Sequence, residues 1–115
     1  MNYDLEERTA VFGEKIINFV KSLPDSNINR PLMNQIIKSA TSIGANYMEA
    51  NQASSKKDFI NKIRICQKEA NETKHWVRMI ATANSELKDY CRILWKEAHE
   101  LTLIFAKINR SCKEN

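Results

Sequence analysis

With 115 residues, 43% of them hydrophobic and 28% charged, the chain can build one core without disulfides or metals and is too short for two. Three cysteines with no Cys-x-x-Cys pair exclude a disulfide framework and point to a reducing compartment, so the protein is expected in the cytoplasm. A net charge of +4 falls short of a strongly basic arm, no apolar run reaches the length of a membrane span, and the acidic N-terminal segment carries no signal pattern, so no membrane association is expected.

Two glycines and two prolines leave little material for turns, and this favours a few long helices. Asp4 and Glu7 have capping-box spacing, and Leu5, Thr9, Phe12, Ile16, Phe19, Val20 and Leu23 form one stripe that ends at the turn-forming residues 24–27. Asn29 is the expected cap of a second helix, with Pro31 tolerated in its first turn. Ile36, Ala40, Ile43, Tyr47 and Ala50 then share a face. Ser39, Ala40, Ser42, Gly44 and Ala45 are small enough to let another helix approach closely. A glycine in a helix costs about 1 kcal/mol relative to alanine, so Gly44 implies a contact worth more than that.

Ser55 and Asp58 give the next capping signal, followed by the seam Phe59, Ile63, Cys66, Ala70, Thr73, Val77 and Ile80. Beside it runs a second stripe of Ile65, Glu69, Glu72, Trp76 and Met79, wider than a small bundle needs. After a turn at residues 83–85, Leu87, Cys91, Leu94, Ala98, Leu101, Phe105, Ile108 and Cys112 form the last seam. The reading is an all-α, single-domain, antiparallel up-down-up-down four-helix bundle over residues 1–115, with helices at 4–23, 29–52, 55–82 and 86–111 and a frayed tail at 113–115.

Several groups invite chemistry. Glu72 and His75 have the Glu-x-x-His spacing of di-iron bundles, but the second copy is missing, since Lys96 stands three residues before His99. His75 also phases outward, so a solvated histidine is preferred and neither metal nor cofactor is expected. Cys66, Cys91 and Cys112 lie on seams and read as core, and Ser39 and Ser42 read as packing residues. Asn46, Glu49, Glu69 and Glu72 phase beside apolar residues, which suggests a structural polar network with Lys38 and Lys62 as its cations. No nucleophile or Gly-rich loop accompanies these carboxylates, so no catalytic residue is assigned and the protein is not expected to be an enzyme.

Charge is uneven along the chain. Residues 1–30 carry four Lys+Arg against five Asp+Glu, residues 31–84 eight against four, and residues 85–115 six against five. Lys57, Arg64, Lys68 and Arg78 line the outer side of the third helix, a candidate surface for nucleic-acid phosphates, RNA or DNA, although most such runs are only solvated. Ile65, Trp76 and Met79, with Trp95 and Leu103 from the fourth helix, are the expected oligomer interface. The favoured function is a non-enzymatic, oligomeric, nucleic-acid-associated protein. A protein-interaction scaffold without nucleic-acid affinity is the alternative, and a metal-dependent enzyme stands behind both.

The run from Ser39 to Asn46, followed by Glu49 and Ala50, then Asp58 and Phe59, and the series Glu69, Glu72 and Trp76, resembles the bacterial four-helix-bundle family of 23S ribosomal RNA intervening sequence proteins. The resemblance spans roughly Leu5 to Lys113 and departs at Pro31, Tyr47 and Met48. It implies kinship with the accessory protein of diversity-generating retroelements, and through it a homopentamer and association with RNA and with a reverse transcriptase or another protein.

Overall fold

A computed structural model describes residues 4–114. It contains α1 (Leu5–Ser22), α2 (Asn29–Asn51), α3 (Lys56–Ala83) and α4 (Lys88–Glu114), with a short 3-10 turn at Ser85–Leu87 leading into α4. Among the described residues there is no strand. Close packing joins each helix to the next in sequence, in the up-down-up-down order of a bundle about 48 Å long. α4 runs through Glu114, past the expected end at 111, so the fraying expected of Lys113 and Glu114 is not seen; Asn115 lies outside the described residues. No described helix is long and apolar enough to cross a membrane.

The helix ends follow from side chains within reach of free backbone N–H groups. Asp4 accepts from the Glu7 amide at 3.1 Å and Ser55 from the Asp58 amide at 3.1 Å, both as the spacing indicates. α2 differs from expectation, because Asn29 is not its cap. The Ser26 hydroxyl accepts from the Asn29 amide at 2.9 Å, while the Asn29 side chain turns inward. There it exchanges two amide hydrogen bonds with Asn84, at 3.1 and 2.9 Å, and donates to the Pro24 carbonyl at 2.9 Å. A buried amide needs this full set of partners, and the pair pins the start of α2 to the end of α3.

The seams meet on the bundle axis. Phe12, Ile16, Ile36, Ile43, Ile63, Ile80, Leu94, Leu101 and Phe105 are among the most deeply buried side chains. Tyr47 lies half-buried against Phe105, with ring centroids 6.1 Å apart, whereas Met48 is exposed. The small residues of α2 serve two neighbours. A Cβ on Gly44 would sit 3.3 Å from Thr9 Oγ1 of α1, and Ser39 Oγ lies 2.9 Å from Thr73 Oγ1 of α3. α1 and α4 are bridged by long side chains. Arg8 donates from Nε and Nη2 to both carboxylate oxygens of Glu97, at 2.9 and 2.8 Å, and from Nη2 to Glu100 at 2.7 Å.

Candidate nucleic-acid interface

α3 is the best-defined ruler in the molecule. Ile63, Cys66, Ala70, Thr73, Val77 and Ile80 face the core, so the diametrically opposite positions must face out. Lys57, Arg64 and Lys68 occupy them, Arg78 stands on the shoulder toward α4, and all four are exposed, interspersed with exposed Asn61, Asn71 and His75. The line extends for roughly 31 Å at 1.5 Å per residue. Among the described residues none of the four cations has a carboxylate partner within 4.0 Å. α1, packed beside α2 and away from α3, exposes charge of both signs, Glu6, Glu7 and Glu14 with Lys15 and Lys21.

The polar group expected around Asn46 is not one network. Asn46 donates to the carbonyl and hydroxyl of Ser42, both at 2.9 Å, within its own helix. Glu49 is exposed and pairs with Lys62 across α2 and α3 at 2.8 Å. Glu69 and Glu72 lie farther along, in a cleft of about 200 Å3 between α2 and α3 shared with Gln35, Lys38, Ser39 and Ser42. Lys38 lines this cleft without closing to ion-pair distance. Burial raises the Glu69 carboxyl above its ordinary value, Glu72 adds to the rise, and Lys68 and Lys38 oppose it. The reason for the split is axial distance: side chains at 46 and 49 sit roughly five turns or more of α2 from its start, whereas 69 and 72 face its middle.

The apolar set proposed as an interface also divides. Ile65, Trp76 and Met79 are half-buried on the flank of α3 that carries Glu69 and Glu72 toward α2, and Trp76 packs on the core with its Nε1 buried and unpartnered. Trp95 is exposed on the opposite side of the basic line, on the flank of α4 facing α3, and Leu103 is exposed farther round α4, away from its core face. A single flat contact over all five residues would also cover Lys57, Arg64, Lys68 and Arg78, so these residues do not form one patch.

Around Trp95 the structure assembles residues that sequence reading had not grouped. His99, one turn on, stacks on the indole with centroids 5.0 Å apart and planes 17° apart. Lys74 Nζ lies 3.1 Å from His99 Nδ1 and 5.2 Å from the indole centroid. A lysine ammonium can only donate, so in this contact His99 Nδ1 is the acceptor. On the side of the preceding turn opens a recess of about 160 Å3 lined by Val77, Arg78, Ala81, Lys88, Cys91, Arg92 and Trp95. The four-residue spacing of Lys88 and Arg92 and of Trp95 and His99 was the available signal on α4; α3's contribution was not readable from spacing.

His75 is exposed and meets Trp76 edge-on, with centroids 4.9 Å apart, while Glu72 lines the α2–α3 cleft, so the two ends of the Glu-x-x-His motif face different surroundings. No three His, Cys, Asp or Glu side chains converge among the described residues. Cys66 and Cys91 are buried and Cys112 is half-buried. Burial pushes the Cys66 thiol up to about 12, and its Sγ donates to the Ile43 carbonyl at 3.5 Å, which makes it a packing residue rather than a nucleophile.

Comparison with known proteins places this geometry in a family. The sequence profile of the 23S rRNA-intervening sequence protein matches residues 2–89. Among solved structures, a protein of unknown function from the S23 ribosomal protein family of Bacteroides thetaiotaomicron superposes with a TM-score of 0.84 at 32% identity, covering 91% of this chain and 94% of that one. No curated protein matches the chain. On the extent of the profile match and of this superposition, the chain belongs to the 23S rRNA-intervening sequence protein family.

Proposed function

We propose that the protein is a non-enzymatic, oligomeric bundle of the cytoplasm that associates with RNA or single-stranded DNA through the outer face of α3. The observation that carries the reading is the line of Lys57, Arg64, Lys68 and Arg78, all exposed and, among the described residues, without a carboxylate partner. Unpaired cations spaced along a straight helix suit a chain of phosphates, because each contact releases a counterion and asks nothing of base sequence. The family's name refers to intervening sequences of 23S rRNA, a nucleic-acid setting. Exposed Met48, Ile93 and Leu103 support association of subunits, a homopentamer by resemblance.

The test is fluorescence anisotropy of labelled RNA and single-stranded DNA over a salt series, comparing the native chain with the variant in which Lys57, Arg64, Lys68 and Arg78 are all glutamine. Helicity should be unchanged. Affinity should fall, and the slope of log affinity against log salt should flatten by up to about 3 per subunit, at 0.7 per phosphate contact. Equal affinity of the two proteins, or a salt-independent native chain, removes α3 from nucleic-acid binding and leaves the scaffold reading in its place.

A further inference from the structure

We propose that the recess beside Trp95 is a base-stacking subsite for a single-stranded nucleic acid, continuous with the phosphate-binding line of α3. The inference rests on the nucleic-acid reading above and adds to it the part of the ligand that the cations do not address. One face of the Trp95 indole is filled by His99 and by the ammonium of Lys74. The recess lies toward the preceding turn, is not lined by His99 or Lys74, and Trp95 is 38% exposed. Its floor is Val77, Ala81 and Cys91, so whatever enters meets apolar atoms below and an aromatic wall beside it.

Three cations, Arg78, Lys88 and Arg92, border the same recess, and no acidic residue lines it. Arg92 has only a long, exposed contact to Asp89 at 3.5 Å. A flat apolar ring with an anion attached at its edge satisfies floor, wall and rim together, and that is the composition of a nucleotide. An acidic peptide would neutralise the rim and leave the indole unfilled. The recess volume of about 160 Å3 has room for one planar base and not for a stacked pair, so the base must be unpaired and turned out of its own stack. Arg78 belongs both to the rim and to the α3 line, so a strand whose base is seated at Trp95 starts its backbone at the end of that line, with Lys68 and Arg64 roughly 15 and 21 Å farther along α3.

The experiment separates base from phosphate. Oligothymidylate and an abasic strand of equal length and charge are titrated against the native chain, Trp95→Leu and Trp95→Phe, with helicity and light-scattering mass recorded for each protein. Trp95→Leu should lose roughly 5- to 150-fold in affinity for oligothymidylate, the ~1–3 kcal/mol of one base–aromatic stack, and nothing for the abasic strand. Trp95→Phe should recover part of the loss. Oligothymidylate should also quench the native tryptophan emission and leave that of Trp95→Phe, which retains Trp76, unchanged. A loss that is equal for the two strands, or absent for both, overturns the stacking subsite while the phosphate reading stands. Failure of the native chain to bind either strand brings down both. A lower mass for Trp95→Leu assigns Trp95 to a subunit contact instead, and polyglutamate binding as tightly with the same dependence on Trp95 assigns the recess to an acidic protein segment.

Discussion

At the scale of single residues, the decisive feature is how each buried polar group is satisfied. Thr9, Thr73 and Thr102 return their hydroxyls to carbonyls one turn earlier, at 2.6, 2.8 and 3.0 Å, so they occupy seam positions without needing a partner elsewhere. Glu69 is the opposite case, since its carboxylate is half-buried in a cleft shared with Glu72. Because the folded state holds its proton more tightly than the unfolded chain does, Glu69 favours folding below its unfolded value of about 4.3, and that contribution is lost as pH rises through the higher folded value. At neutral pH the charged side chain is therefore a cost. Glu69→Gln is expected to raise the melting temperature at pH 7, with the gain shrinking as the pH falls through the raised folded value and levelling off below about 4. Melts of both proteins across this range check it; a gain that is constant with pH would assign the effect to shape rather than charge.

At the scale of elements, α2 packs closely on both α1 and α3, and its glycine shows how close the first approach is. No glycine has a positive φ, so backbone conformation places no bar on alanine at Gly13 or Gly44. At Gly13 a Cβ would make ordinary contact with Thr41 at 3.8 Å, and Gly13→Ala is expected to stabilise by about 0.5–1 kcal/mol through reduced chain entropy. At Gly44 the Cβ would press on Thr9 Oγ1 at 3.3 Å, and that hydroxyl is tethered to the Leu5 carbonyl at 2.6 Å and cannot swing aside. Gly44→Ala should therefore forfeit the gain or destabilise by up to about 1 kcal/mol as α1 is pushed outward. Equal stabilisation by the two variants in thermal melts would show that the α1–α2 approach does not depend on Gly44. The α1–α4 side is built differently, because Arg8 reaches across with a fork that lysine could not reproduce.

At the scale of the whole molecule, charge and apolar surface are distributed unequally around the bundle. Cations line α3 and the α3–α4 groove, α1 exposes both signs, and Ile93 and Leu103 are 61% and 55% exposed on α4. Side chains of that size in water favour association. Light scattering is expected to give a mass above the 13.3 kDa of one chain, and Ile93→Lys combined with Leu103→Lys should lower it without loss of helicity. A mass that stays at 13.3 kDa for the native chain at every concentration would end the oligomeric part of the proposed function.

What could be read from sequence is whatever depends on one helix at a time. The four helices, the caps at Asp4 and Ser55, the seams from Leu5 to Leu23 and from Ile63 to Ile80, and the outward line of Lys57, Arg64, Lys68 and Arg78 all follow from a 3.6-residue period and from side chains reaching a neighbouring turn. Phase gives a side chain's direction about its own axis and nothing about what lies opposite. That depends on axial register and interhelix distance, which the packing of the whole core decides. Only the tertiary structure therefore paired Asn29 with Asn84 instead of leaving it as a cap, and brought Arg8 to Glu97. For the same reason it separated Glu49 from Glu69, divided the expected interface between two flanks of α3, and gathered Lys74, Arg78, Lys88 and Arg92 around Trp95.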